Sequence, residues 1–147
     1  MTNLANILIV DDDDDDVFLT CEGFKRSKFL ADITHVANGV ECMKYLRKQP
    51  PYTDVCVPDI ILLDLNMPLM DGREVLAEIV RDPQLRSIPV VILTTSEVDR
   101  DILDMYNLRC NSYIVKPVDF NKFQKAIETF TNYWFTLVST PTRTNKL

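Results

Sequence analysis

The strongest constraint on the fold is a stretch near the middle of the chain, in which the apolar run Ile60–Leu63 leads directly into Asp64. A short, unbroken apolar run is typical of a strand that is covered on both faces, as in a parallel sheet. Pro68 prevents the strand from continuing. The sequence therefore predicts a carboxylate at the carboxyl edge of a buried strand, which is the edge where open parallel sheets bind ligands.

Four further segments have the pattern of strands, and each is followed by a segment with helical periodicity. The predicted strands are Ile7–Val10, Asp32–Val36, Ile88–Leu93 and Ser112–Val115. Strands that alternate with helices predict right-handed crossovers and a parallel sheet with helices on both faces. We therefore predict an α/β fold of the flavodoxin-like, doubly wound type, (βα)5, with five helices and strand order 2-1-3-4-5.

Length and charge exclude several classes of protein. The chain has 147 residues, 46% of them hydrophobic, which suits one domain with a real core. Its net charge of −6 argues against binding nucleic acid through a basic surface. No apolar run has the length of a membrane span, and the N-terminus lacks the blocks of a signal peptide, so we expect a cytoplasmic protein.

The four cysteines do not predict a metal or disulfide framework. They form no C-x-x-C pair, and His35 is the only histidine available as a ligand. We therefore exclude a zinc site and expect reduced thiols that pack as small apolar groups.

Six consecutive aspartates, Asp11 to Asp16, follow the first strand. An acidic run is usually a solvated, disordered segment, but this one lies between a strand and a periodic helical segment. We expect the first two at the carboxyl end of the strand, and the last ones as the cap and first turn of the first helix, where the helix dipole favours negative charge.

A polar group follows directly after four of the five predicted strands. These groups are Asp11 and Asp12, Asp64 with Asn66 two residues later, Thr94, and Lys116. Carboxylates a few Å apart repel each other by about 1 kcal/mol even in water, so such a cluster needs a cation. Hard oxygen ligands without histidine or cysteine select Mg²⁺, with Mn²⁺ able to substitute.

The same edge predicts phosphoryl chemistry. Mg²⁺ usually takes one or two protein carboxylates and leaves positions for a phosphoryl oxygen. The hydroxyl of Thr94 and the ammonium of Lys116 would bind the remaining oxygens, and Asp64 would be the nucleophile. The predicted product is an aspartyl-phosphate on Asp64.

With these motifs the chain resembles the receiver domain of two-component response regulators, from about Ile7 to Phe130. The matching segments are Val10–Asp12, Leu63–Pro68, Met70–Gly72, Leu93–Thr95 and Tyr113–Pro117. One departure is the acidic run Asp13 to Asp16, where the family usually has mixed polar residues.

The resemblance implies a role for each position of the motif. It implies that Asp64 is the phosphoacceptor, that Asp12 and Asp64 bind the metal, and that Asp11 acts through water. It also implies a metal bond to the backbone carbonyl of Asn66. The remaining implied roles are phosphoryl contacts for Thr94 and Lys116, a cis peptide at Pro117, and a switch formed by Thr94 and Tyr113.

A narrower resemblance concerns the small regulators paired with cyanobacterial and other bacterial phytochrome histidine kinases. It is carried by Gln49–Pro58, Asp71–Leu76, Leu93–Ser96, Tyr106 and Tyr133–Phe135. It implies a histidine kinase, and more narrowly a phytochrome, as the partner.

We expect residues 1–130 to form the receiver domain and residues 131–147 a tail, with no output domain. A regulator of this kind would signal through phosphorylation-dependent protein–protein contacts. The tail segment Tyr133–Val138 contains no charge and is mostly large and apolar. It would either fold back on the domain or form a dimer contact, and we favour the homodimer.

Three alternatives compete with a phosphoacceptor signalling protein. A phosphohydrolase working through an aspartyl-phosphate usually has a second aspartate two residues after the nucleophile, where this chain has Asn66. A flavodoxin that binds FMN is disfavoured by six aspartates at the expected phosphate loop. A receiver fold that only acts as a scaffold is disfavoured because no site residue is missing. We therefore predict no enzyme activity beyond self-phosphorylation and slow dephosphorylation.

Overall fold

Five strands alternate with five helices in the computed structural model, which describes residues 4–27 and 29–137, the last two as backbone only. The strands are β1 (Ala5–Val10), β2 (Ala31–Val36), β3 (Ile60–Leu63), β4 (Val90–Thr94) and β5 (Ser112–Val115). The helices are α1 (Asp14–Arg26), α2 (Gly39–Leu46), α3 (Gly72–Arg81), α4 (Asp99–Asn107) and α5 (Phe120–Asn132), which continues into a π-helical turn, Tyr133–Leu137.

The strands form one parallel sheet in the order β2-β1-β3-β4-β5, so the predicted fold class and topology are confirmed. Alternate strand residues enter two separate cores because successive side chains point to opposite faces. Leu8 and Leu63 pack with α2, α3 and α4, whereas Ile9 and Leu62 pack with α1 and α5. This double coverage explains why the strand segments Ile7–Val10, Ile60–Leu63 and Val90–Leu93 are apolar without interruption.

Strand register brings the predicted polar residues to one edge. Val10 is paired with Leu63, so the next residues, Asp11 and Asp64, lie side by side. Thr94 is paired with Val115, so Lys116 follows directly beyond the neighbouring strand end. The edge therefore collects its side chains because parallel strands all end on the same side of the sheet.

The aspartate run begins α1, as predicted. Asp13 is the N-cap, and its side chain accepts hydrogen bonds from the backbone N–H groups of Asp15 and Asp16. Asp14, Asp15 and Asp16 form the first turn, where the positive end of the helix dipole stabilises negative charge. The run is thus part of the helix start and not a solvated tail.

The segment Tyr133–Val138, which we assigned to a dimer contact, is partly used within the chain. Trp134 and Phe135 pack against the core formed with α1 and α5, and Phe135 stacks on Phe29 at a centroid distance of 4.5 Å. Tyr133 remains 54% exposed. Val138 and the rest of the predicted tail lie outside the described residues.

No helix in the described part of the chain combines the length and the apolar character needed to cross a membrane.

Candidate functional site

Hydrogen bonds of the sheet type continue one residue beyond three strands and hold the site backbone. The N–H of Asp64 donates to Val10 O at 2.9 Å, and the N–H of Lys116 donates to Thr94 O at 2.7 Å. The N–H of Asp11 donates to the carbonyl of Val36, while its own carbonyl accepts from the Nε2–H of His35 at 2.7 Å. The backbone of Asp11, Asp64 and Lys116 is therefore held in place by the sheet itself.

Three carboxylates converge at this edge. Asp11, Asp12 and Asp64 each offer an oxygen, and these three oxygens lie within 4.8 Å of one another. Asp11 and Asp64 are buried, while Asp12 is exposed, so the cluster has one side open to solvent. An all-oxygen set of this spacing fits a hard divalent cation, and repulsion among three carboxylates makes such a cation favourable.

Lys116 lies under this cluster and uses all three of its donors. Its Nζ is 2.6 Å from Asp11 Oδ2, 2.9 Å from Asp16 Oδ2 and 3.5 Å from Asp64 Oδ2. Its side chain is only 2% exposed, so the ammonium is removed from water and compensated by carboxylates.

The contact with Asp16 was not anticipated from the sequence. Besides Asp11, which ends β1, Asp16 is the member of the aspartate run that contacts Lys116, from the first turn of α1. Asp14 and Asp15 are exposed in the same turn. Helical periodicity alone could have indicated that one residue of this turn faces inward, but not that it would contact the lysine that follows β5.

Burial and pairing shift the ionisation of this cluster. Burial raises the pKa of Asp11 to about 6, and the nearby Asp64 charge adds to that effect, although hydrogen bonds from Lys116 and the Asp13 N–H oppose it. Burial alone would lower the pKa of Lys116, but its hydrogen bonds to Asp11 and Asp16 outweigh burial and raise it. The lysine is therefore a permanent cation in the site.

Asp64 is fixed from two sides. Its Oδ1 accepts the backbone N–H of Leu65 at 2.7 Å, and its Oδ2 faces Lys116. Behind it, Gly72 approaches so closely that an added Cβ would lie 2.3 Å from the Asp64 carbonyl oxygen. Sequence reasoning assigned Gly72 only to a turn, whereas the structure shows that its lack of a side chain lets the next helix start against the Asp64 backbone.

On the other side of Asp64, a chain of hydrogen bonds starts at Thr94. The N–H of Ser96 faces the buried Thr94 hydroxyl at 3.5 Å, and the Tyr113 hydroxyl donates to Ser96 O at 3.0 Å. The Ser96 hydroxyl donates to Asp101 at 2.6 Å, and Asp101 is also paired with Arg73. This chain joins α3, α4 and β5.

Neither Asp101 nor Arg73 was predicted as part of the site. Hydrogen bonds from Ser96 and Arg73 lower the pKa of Asp101. Asp101 is at the start of α4 and Arg73 at the start of α3, and nothing in the local sequence pairs them, so only the packing of the two helices brings them together.

The expectation of a cis peptide at Pro117 was wrong. Among the described residues the only cis peptide bond joins Pro50 and Pro51, so Lys116–Pro117 is trans. The trans form is the more stable one for most bonds before proline, and Lys116 reaches its carboxylate partners without the cis form.

The predicted metal ligand Asn66 lies two residues beyond Asp64 and is exposed at the surface of the same loop. Its backbone carbonyl as a ligand remains a prediction.

A family model for the response regulator receiver domain matches residues 7–128, which include every residue of the sheet edge. The chain belongs to this family. Receiver domains are signalling proteins that use a divalent metal, and the carboxylate cluster described above is consistent with that use.

Two cyanobacterial regulators are similar to this receiver domain over almost its whole length. It is 38% identical over 135 residues to response regulator Rcp1 of Synechocystis sp., covering 92% of both chains. The Mn²⁺-bound structure of Rcp1 has a TM-score of 0.89, with 37% identity and coverage of 94% of this chain and 99% of that one. The phosphorylated cyanobacterial phytochrome response regulator RcpA has a TM-score of 0.91 and 38% identity, covering 95% of this chain and all (100%) of that one.

A third relative is named for a different process. The probable methanogenesis regulatory protein FilR2 of Methanothrix harundinacea is 38% identical over 128 residues, which cover 87% of this chain and 82% of FilR2. Sequence identity alone therefore does not separate the phytochrome regulators from other receiver proteins of the family.

Proposed function

We propose that this receiver domain accepts a phosphoryl group on Asp64 in a Mg²⁺-dependent reaction and signals through the resulting change in its surface. The observation that carries the proposal is the juxtaposition of three carboxylate oxygens within 4.8 Å and a buried ammonium 3.5 Å from Asp64 Oδ2. Few other arrangements at a sheet edge combine a cation site, a nucleophile and a second positive charge.

Each residue of the site has a separate role in the proposed reaction. Asp64 supplies the attacking carboxylate oxygen, which forms the new O–P bond as the bond between phosphorus and the donor nitrogen or oxygen breaks. Lys116 and the hydroxyl of Thr94 donate hydrogen bonds to phosphoryl oxygens as charge moves onto them. Asp12 and Asp64 would hold Mg²⁺, with Asp11 acting through water and the Asn66 carbonyl as a further ligand. When bound, the ion would neutralise charge on the transferring group.

The same geometry favours a stored signal over repeated turnover. Hydrolysis of an aspartyl-phosphate is accelerated by a general acid–base near the attacking water. The position two residues after Asp64 is occupied by Asn66, which cannot exchange a proton in that role. We therefore propose a signalling protein that at most catalyses its own phosphorylation and slow dephosphorylation, not a phosphohydrolase.

The phosphoacceptor assignment is tested by incubating the protein with acetyl phosphate and Mg²⁺ and measuring the mass of the intact protein. The parent is expected to gain one phosphoryl group, and Asp64→Asn to gain none. Asp54→Asn, an exposed aspartate of the loop before β3, is the matched control and should label like the parent. EDTA should abolish labelling, and Mn²⁺ should restore it. Labelling of Asp64→Asn at the parental rate would refute the assignment.

For the partner we propose a histidine kinase, and more narrowly a phytochrome kinase. The similarity to RcpA and Rcp1 over at least nine tenths of each chain supports this choice. Phosphotransfer from a panel of purified, radiolabelled kinases would test it, with the fastest transfer expected from a phytochrome kinase. Faster transfer from a kinase of another class would contradict the phytochrome pairing and leave the receiver function intact. A cytoplasmic location follows from such a partner.

We further propose a homodimer. An apolar groove beside β5 and α5, lined in part by Ile114, Phe130 and Trp134, supports this proposal together with the exposed Tyr133. Light scattering measures the oligomeric state directly, with and without beryllofluoride, which mimics an aspartyl-phosphate. A monomer in both conditions would eliminate the dimer.

A further inference from the structure

The acceptors of the Lys116 ammonium fall into two groups. Asp11 and Asp64 belong to the cluster of carboxylates that fits a divalent cation. Asp16 does not belong to it, yet its Oδ2 lies 2.9 Å from Nζ, closer than that of Asp64. The shortest contact of the ammonium, 2.6 Å, is made with Asp11. A cation and Lys116 therefore compete for the same buried carboxylate, while Asp16 stands outside this competition.

We propose that Asp16 is a positioning residue, which keeps the Lys116 ammonium anchored beside Asp64 when a divalent cation takes up the negative charge of Asp11. This inference rests on the proposed phosphoacceptor function. When the cation draws charge from Asp11, the hydrogen bond from Lys116 weakens and two positive groups face each other. Asp16 offsets this repulsion because its carboxylate lies outside the cation cluster and remains in direct contact with the ammonium.

The backbone around Asp16 is suited to such a role. Its N–H is bonded to the N-cap side chain of Asp13, and its carbonyl accepts the buried hydroxyl of Thr20 at 2.9 Å. The helix that carries it packs tightly on α5, since a Cβ on Gly23 would lie 2.6 Å from Ile127. The carboxylate is thus placed by a rigid helix start and is not one of several mobile surface acids.

The preceding residue, Asp15, provides a comparison for Asp16. Asp15 carries the same charge in the same helical turn, but it is exposed and is not one of the three carboxylates that contact Lys116 in the described part of the chain. If Asp16 acted only by adding negative potential near the cation, Asp15 would act in a similar way. If Asp16 acts through Lys116, its effect must disappear when the lysine is removed.

A double-mutant cycle on cation affinity tests this without any phosphoryl transfer. The dissociation constant of Mn²⁺ is measured from the electron paramagnetic resonance signal of the free ion for five proteins. These are the parent, Asp16→Asn, Asp15→Asn, Lys116→Met, and the double variant Asp16→Asn with Lys116→Met. Circular dichroism and thermal unfolding establish that each variant is folded, and Lys116→Gln replaces Lys116→Met if the latter does not fold.

We expect Asp16→Asn to raise the Mn²⁺ dissociation constant about fivefold, and Asp15→Asn to raise it less than about twofold. In the Lys116→Met background, Asp16→Asn should change it by less than about twofold. An equal effect of Asp16→Asn in both backgrounds would overturn the positioning role and leave the phosphoacceptor proposal untouched. Failure of the parent to bind Mn²⁺ at millimolar concentration would overturn both.

Discussion

The two sides of Asp64 are built on different physical principles. One is an ion side, in which carboxylates surround a buried ammonium. The other is a hydroxyl side, in which hydrogen bonds link hydroxyl groups to a partly exposed ion pair. The ion side consists of Asp11, Asp16 and Lys116. The hydroxyl side consists of Thr94, Ser96, Tyr113, Asp101 and Arg73.

Their exposure explains how each side can respond to a charge placed on Asp64. The ammonium of the ion side is held by three carboxylates, and breaking one of these contacts inside the protein is costly. The pair on the hydroxyl side has side chains exposed by 32% in Arg73 and 19% in Asp101, so water can replace its bonds at little cost. We therefore expect the ion side to stay in place and the hydroxyl side, which joins α3, α4 and β5, to rearrange.

The largest expected contrast between the two sides comes from replacing the basic residue of each side, Lys116 or Arg73. Lys116→Met should lower the free energy of unfolding by about 3 kcal/mol at pH 8 in EDTA, because it leaves the Asp11 carboxylate buried without its cationic partner. Arg73→Met should cost only about 0.5 kcal/mol, because its pair is partly solvated. Urea denaturation measures both, and similar losses for the two variants would contradict the contrast.

A second contrast concerns the sign of the pH dependence. Folded Asp11 retains its proton up to about pH 6, whereas the ordinary value is 3.8, so between these values the folded state binds more protons than the unfolded state. Without metal, the contribution of Asp11 therefore falls as pH rises through this window, by about 3 kcal/mol. The lowered pKa of Asp101 has the opposite effect, since its contribution is lost as pH falls below the ordinary value.

Stability curves in EDTA from pH 3 to 8 for the parent, Asp11→Asn and Asp101→Asn resolve the two signs. The difference between parent and Asp11→Asn should decrease with rising pH, and that between parent and Asp101→Asn should increase. If both differences changed in the same direction with rising pH, burial would not dominate the ionisation of Asp11.

The smallest expected effect is that of Tyr113→Phe, which removes the hydrogen bond to Ser96 O and leaves the ring in place. It should lower the free energy of unfolding by about 1 kcal/mol. If the hydroxyl side is the part that rearranges, the same substitution should change hydrogen exchange at the start of α4 more than in α1. Equal changes in both helices would argue against a separate hydroxyl side. Phe135→Leu, which alters the packing of Phe135 on Phe29, is a control for a general increase in hydrogen exchange caused by weaker packing.

Sequence reasoning predicted the helices, the strands and the residues that end each strand. Apolar runs that end in a polar residue are local signals, and parallel topology then brings every such residue to one edge. That is why Asp11, Asp64, Thr94 and Lys116 were located correctly. The trans bond before Pro117 differs from what was expected. For Trp134 and Phe135 the sequence left two alternatives, folding back or a dimer contact, because local pattern does not identify their packing partners.

The amino-acid sequence by itself thus determined the sheet, its order and the acidic edge with its lysine, since periodicity and strand ends are written in consecutive residues. Only the tertiary structure decided that Asp16, 100 residues away, joins Asp11 in binding Lys116, and that Ser96, Asp101 and Arg73 connect three elements. The physical reason is that such contacts depend on the rotation and approach of whole helices, and a charge run in which every residue is identical cannot encode its own contacts.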